Sequence, residues 1–139
     1  MINKLIVELK KDEAFRNKFQ SMIIIKDIPT KTILLNEGDI AQNIYFINKG
    51  CLREWFNKDG KDITFQFFFE GQAVASIDSL LSNQPSIYSI ESIEASKISS
   101  LSKKNFELLQ ELYPEDYFQM GAGFANPKQH SNYKPKQKK

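Results

Sequence analysis

The feature that most narrows the fold is a succession of short apolar, β-branched stretches between Ile23 and Leu101, each closed by turn-forming residues. Ile23-Ile24-Ile25 and Thr32-Ile33-Leu34-Leu35 are parted by Pro29 and Thr30, and a turn at Asn36-Glu37-Gly38-Asp39 follows. Asn43–Gly50 reads as a strand ending at a glycine, and Cys51–Phe56 continues extended. Within Asn57–Asp62 the Asp-Gly pair supplies the positive φ angles that a tight hairpin needs. Ile63, Phe65, Phe67 and Phe69 then alternate with Thr64, Gln66 and Phe68. That period belongs to a half-buried strand and predicts Phe65, Phe67 and Phe69 in the core. Two more strands are expected around Ile87–Ile93 and Lys97–Leu101. About eight short strands with turns between them suggest a sandwich or a closed roll.

Helical signals flank the strands. Residues 1–21 read as helix, with Asp12 a plausible N-cap for a second piece and Phe15, Phe19 and Met22 on one face. Ser76–Leu81 reads as a short helix with Ile77, Leu80 and Leu81 on its apolar side, broken by Asn83-Gln84-Pro85-Ser86. Ser102 caps a last helix that is expected to bury Phe106, Leu109 and Leu112 and to end at Pro114. The fold class is therefore mainly β with flanking helices, in a domain over residues 1–118. Residues 119–139, polar and broken by glycine and proline, are expected to be a disordered basic tail.

A chain of 139 residues with eleven Phe supports one hydrophobic core. Its longest apolar runs, Met22–Ile25 and Phe67–Phe69, are too short to span a bilayer. Met1–Leu9 is interrupted by polar residues and is followed by no small-residue cleavage site, so no signal peptide is read. Cys51 is the single cysteine, which leaves no internal disulfide. These features point to a cytoplasmic protein with no membrane partner. The net charge of +2 is uneven. Lys128, Lys134, Lys136, Lys138 and Lys139 stand in the acid-free C-terminus; without them 19 basic against 17 acidic residues becomes 14 against 17, a net of −3. An acidic body with only Arg16 and Arg53 does not suit a nucleic-acid surface, so no direct DNA binding is expected.

Several stretches, in order, carry a resemblance. They are Leu35-Asn36-Glu37-Gly38-Asp39, then Ile44-Tyr45-Phe46-Ile47-Asn48-Lys49-Gly50-Cys51-Leu52-Arg53, then Asp59-Gly60-Lys61-Asp62-Ile63. Over roughly residues 15–118 the chain resembles the effector domain of catabolite-activator/FNR (Crp/Fnr) regulators. The resemblance implies a double-stranded β-helix, or jelly roll, of the cyclic-nucleotide-binding type. Gly38 and Gly50 would stand where the roll turns corners and a side chain would clash.

The resemblance also implies a ligand loop from Phe69-Glu70-Gly71 to Ser86-Ile87, whose short helix would offer backbone N–H groups to a cyclic phosphate. Its candidate ligand-binding residues are Gly71, Ala75, Ser76, Ile77, Ser86 and Ile87. In nucleotide-binding members a Glu of the loop holds the ribose hydroxyl and an Arg pairs the phosphate. Those positions fall here on Ser76 and Ser86, and the loop's first glycine falls on Ala75. Loss of the arginine removes a charge-assisted contact of roughly 1.5–3 kcal/mol. Cyclic AMP in the usual mode is therefore not expected. The ligand is left as a cyclic nucleotide bound otherwise, another small anionic ligand, or none, and no cofactor is assigned. The family's long dimerisation helix and helix-turn-helix do not fit into the residues after Tyr117. The chain thus reads as a regulator cut short, a homodimer in a full-length form.

Other chemistry finds little support. Cys51 reads as a small apolar strand residue, and one cysteine excludes a four-thiolate cluster. His130 is the only histidine, which argues against a cupin metal enzyme and against nucleophilic triads. Glu111, Glu115 and Asp116 read as a solvated helix end. No enzyme is expected. Three readings stay open: a sensor domain, a DNA-binding transcription factor if the natural chain is longer, and a ligand-free interaction barrel closed by Ile77 and Leu80.

Overall fold

The computed structural model describes residues 13–113. Helix α1, Glu13–Met22, leads into strands β1, Ile24–Ile28, and β2, Ile33–Leu35. Strands β3, Asn43–Lys49, β4, Cys51–Lys58, β5, Lys61–Phe69, and β6, Ala73–Val74, follow. Helix α2, Ile77–Ser82, precedes β7, Ser89–Ser92, β8, Ser96–Ser102, and helix α3, Lys103–Leu112. The expected helix before residue 13, the Asp12 cap, the Pro114 stop and the tail lie outside the described residues.

The strands form two antiparallel four-stranded sheets, ordered β1-β8-β3-β6 and β2-β7-β4-β5. Apart from the β4–β5 hairpin, chain neighbours divide between the sheets, as in a jelly roll. The β4–β5 hairpin turns at Asp59 and Gly60, both with positive φ. Its register slips between Glu54 and Trp55, where Gln66 and Thr64 are the partners and Phe65 is the extra residue.

Strand β3 is buried on both faces, which explains the unbroken run Ile44-Tyr45-Phe46-Ile47. Tyr45 and Ile47 pack into the roll with Leu52, Phe68, Val74, Ile90 and Ile98. Ile44 and Phe46 pack outward under the helices with Phe15, Phe19, Ile77, Leu80, Leu101, Phe106 and Leu109. The helices and the roll thus share one strand, and α2 sits in the same cluster as α1 and α3.

Several expectations need correction. Phe67 and Phe69 are 48% and 54% exposed, Phe65 is half-buried, and the core residue of β5 is Phe68. The bulge at Phe65 moves the alternation by one. Leu81 and Leu112 are about half exposed, because Leu80 and Leu109 take the inward positions of their turns. A side chain at Gly38 would meet nothing within 4 Å, so the crowding argument holds only at Gly50. The two-residue strand β6 falls where a loop was expected; it is held by pairing of Ala73 and Val74 with Phe46 and Tyr45.

Candidate functional site

The loop expected to hold a ligand runs from the end of β5 through β6 and α2 to the start of β7. Gly71 stands at the turn into β6, and its N–H donates to Ile47 O at 2.9 Å. Ala75, Ser76 and Ile77 are buried, and Ile77 and Leu80 drop into the helical cluster. Ser86 is buried, whereas Ile87 is 49% exposed. The fold therefore brings Ala75, Ser76, Ile77 and Ser86 together and leaves Gly71 and Ile87 at the margins.

The hydroxyl protons can be followed. Ser86 Oγ donates to Tyr88 O at 2.6 Å and accepts from Tyr88 N at 3.0 Å. Ser76 Oγ lies 2.7 Å from Ser86 Oγ. A serine has one hydroxyl proton, and that of Ser86 goes to Tyr88 O, so Ser76 is the donor between them. Ser76 then turns only acceptor lone pairs to any ligand. Although Ser76 is the N-cap of α2, its side chain makes no capping bond. Helix α2 has six residues and carries Asp78 in its first turn, a charge that opposes an anion at its N-terminus.

Two inward residues escaped the sequence analysis. Glu54 is 1% exposed on the face of β4 that also carries Leu52 and Phe56, opposite Ile90 of β7 and Gln66 of β5. Tyr88 is 4% exposed, its ring 6.1 Å from Phe56 and 4.8 Å from Phe65. Burial, then the negative charges of Glu54 and Asp78, push the Tyr88 phenol far above its ordinary range. The alternation Leu52-Glu54-Phe56 carried the signal for Glu54, since every second residue of a strand shares a face.

Arg53 is turned the other way. Its guanidinium binds Glu91 at 2.8 and 3.0 Å and Thr64 at 2.9 Å, and lies 4.8 Å over the Trp55 ring. It is fully engaged on the outer face and cannot stand in for the missing phosphate arginine. From Glu70 to Tyr88 there is no Lys or Arg. Burial, and then the nearby Glu94, push the Cys51 thiol up, away from the reactive thiolate. Among the described residues no group of His, Cys, Asp and Glu could hold a metal ion, and no helix is long and apolar enough to cross a membrane.

The family model described as the cyclic nucleotide-binding domain matches residues 25–113. The catabolite activator protein of Thermus thermophilus is similar at TM-score 0.75 and 16% identity, over 91% of this chain and 59% of that one. The cAMP-bound regulatory domain of Toxoplasma gondii PKA is similar at TM-score 0.65 and 26% identity, over 70% of this chain and 37% of that one. The regulatory subunit of a cAMP-independent protein kinase A from Trypanosoma brucei is similar at TM-score 0.68 and 13% identity, over 88% and 45%. This chain thus spans less than two thirds of the length of each. No curated protein sequence matches it.

Proposed function

The chain belongs to the cyclic nucleotide-binding domain family, and on that premise we propose that it is the effector-sensing module of a Crp/Fnr-like transcription regulator. It reads a small ligand at the Gly71–Ile87 loop, performs no catalysis, and works in the cytoplasm. The observation that carries this reading is the shared core. Ile77 and Leu80 of the loop helix pack in one cluster with Phe106 and Leu109 of α3. A ligand that moves Ser76 and Ser86 must move Ile77, and close packing passes that displacement to α3. In a homodimer α3 carries it onward to the second subunit and to a DNA-binding segment.

Cyclic AMP in the usual mode does not suit the loop, for two reasons. No Lys or Arg stands in the loop between Glu70 and Tyr88, and the Ser76 proton is already committed to Ser86. A second reading, a ligand-free barrel that docks a protein, is favoured by the burial of Ile77 and Leu80 and by the Ser76–Ser86 bond that closes the loop on itself.

A thermal-shift titration separates the two. A ligand present at about 100 times its Kd adds about 2.7 kcal/mol, a shift of several degrees or more in a domain of this size. The panel holds cyclic AMP, cyclic GMP and small metabolites of either charge. The expected result is no shift with cyclic AMP and a shift with a small metabolite. Silence across the panel overturns the sensor reading in favour of the barrel.

A further inference from the structure

We propose that β5 is a self-association edge: Ile63–Phe68 pairs antiparallel with the same segment of a second copy of this chain. The interface uses neither α3 nor Ser76 and Ser86, so it goes beyond the sensor reading and is independent of whether the loop takes a ligand.

Among the described residues each sheet ends in two edge strands, and three of the four are blunted. Strand β1 carries Lys26 and Asp27 and is followed by Pro29, β2 has three residues and a broken register, and β6 has two residues. Short length, charge and irregular pairing are ordinary means of keeping an edge from pairing further. Strand β5 is nine residues long, is paired with β4 alone among the described strands, and bears no charge or proline from Ile63 to Phe69. Phe67 and Phe69 stand about half exposed on it, their ring centroids 6.5 Å apart. The Phe69 N–H donates to Gln72 Oε1 at 2.7 Å, so the segment left to pair ends at Phe68.

The bulge at Phe65 selects the occupant. Pairing with β4 puts Lys61, Ile63, Gln66 and Phe68 on the inner face and Asp62, Thr64, Phe67 and Phe69 on the outer one. The alternation thus breaks once, between Thr64 and Gln66. A regular strand alternates without a break and matches the faces of only one half. A second copy, related by a two-fold axis normal to the sheet, brings the same break to the same place. Faces then match with Ile63 opposite Phe68, Thr64 opposite Phe67, and Phe65 beside Gln66 at the axis. Past the ladder, this register sets Lys61 of each copy beside Glu70 of the other. Both are exposed, and among the described residues neither is in an ion pair. A shift by two residues either way mismatches the faces at the axis and sets Lys61 opposite Phe68 or Glu70 opposite Ile63. Facing and charge complementarity therefore single out the same register.

The test uses the purified 139-residue chain without added ligand. A six-residue ladder makes a small interface, so sedimentation velocity is run from about 1 µM to about 1 mM. A concentration-dependent dimer is expected, with amide hydrogen exchange over Ile63–Phe68 slowing as it forms. Lys61→Glu, which sets like charges together at both ends, is expected to weaken association at least about tenfold. Lys61→Glu combined with Glu70→Lys restores the pairs and is expected to return the affinity to within about threefold. Both positions are exposed, and circular dichroism checks that the variants fold. A monomer throughout the range overturns the inference. So does a dimer that Lys61→Glu leaves unchanged, a loss that the double variant does not rescue, or a dimer in which Ile63–Phe68 gains no protection, since association then runs through another surface.

Discussion

At the scale of single residues, Gly50, the one residue between β3 and β4, is tightly constrained. Its φ is +108°, and a Cβ built there would lie 2.6 Å from Ser96 Cβ and 2.8 Å from Ser96 Cα. Ser96 cannot yield: its hydroxyl accepts from Cys51 N at 3.2 Å and donates to Glu94 O at 2.8 Å. Gly38 has a similar φ of +96° but open space around it. The two glycines therefore separate backbone strain from collision. Gly38→Ala is expected to cost about 1–2 kcal/mol, the strain alone. Gly50→Ala is expected to cost about 3–5 kcal/mol, because backbone must also move. Urea unfolding of both variants checks this, and equal losses would remove the collision argument.

At the scale of elements, β5 carries the lesson about what the sequence could say. Its hairpin turn was legible, because Asp59 and Gly60 alone satisfy positive φ at both central positions. Its facing was not, because Phe65, Phe67, Phe68 and Phe69 are all apolar and either alternation is plausible. The cross-strand pairing decides: Phe68 lies opposite Leu52, both buried, and Phe67 lies opposite Arg53 on the outer face. Phe68→Ala is expected to cost about 3–5 kcal/mol. Phe67→Ala should stay under about 1 kcal/mol, as a half-exposed side chain in no core cluster. Chemical denaturation of the two variants distinguishes the registers, and the reverse order would restore the alternation read from sequence. The same limit explains the site. Ser76 and Ser86 were placed by resemblance, and the structure brings them within 2.7 Å. Glu54 was hidden between Arg53 and Trp55, a stretch that reads as a solvated hairpin until Leu52, Glu54 and Phe56 are seen to share a face. Tyr88 was hidden in a strand of mixed polarity, and its role depends on a bulge at Phe65 that no local signal announces.

At the scale of the whole molecule, the fold is two cores joined through β3, and two tyrosines are buried, Tyr45 on β3 and Tyr88 just before β7. Burial raises the Tyr45 phenol above its ordinary value near 10.0, with a hydrogen bond from the Asn43 side chain opposing in part. Burial, Glu54 and Asp78 raise that of Tyr88 further. Each phenol is thus held neutral in the folded state and ionises near 10 in the unfolded chain. A group whose folded pKa lies above its unfolded one stabilises fully below the unfolded value, and that stability is lost as pH rises through the folded value. Neutral pH therefore lies on the stable plateau, and the loss begins at about pH 10. Phenolate absorbance and circular dichroism, followed together on the same titration, are expected to show Tyr45 and Tyr88 ionising with unfolding. Tyr88→Phe, which keeps the ring against Phe56 and Phe65 and removes the proton, should move the alkaline unfolding upward in pH. Tyr45 and Tyr88 titrating near pH 10 in a chain that keeps its circular dichroism would show instead that the roll opens to hydroxide at both rings, and would count against a closed interior around them.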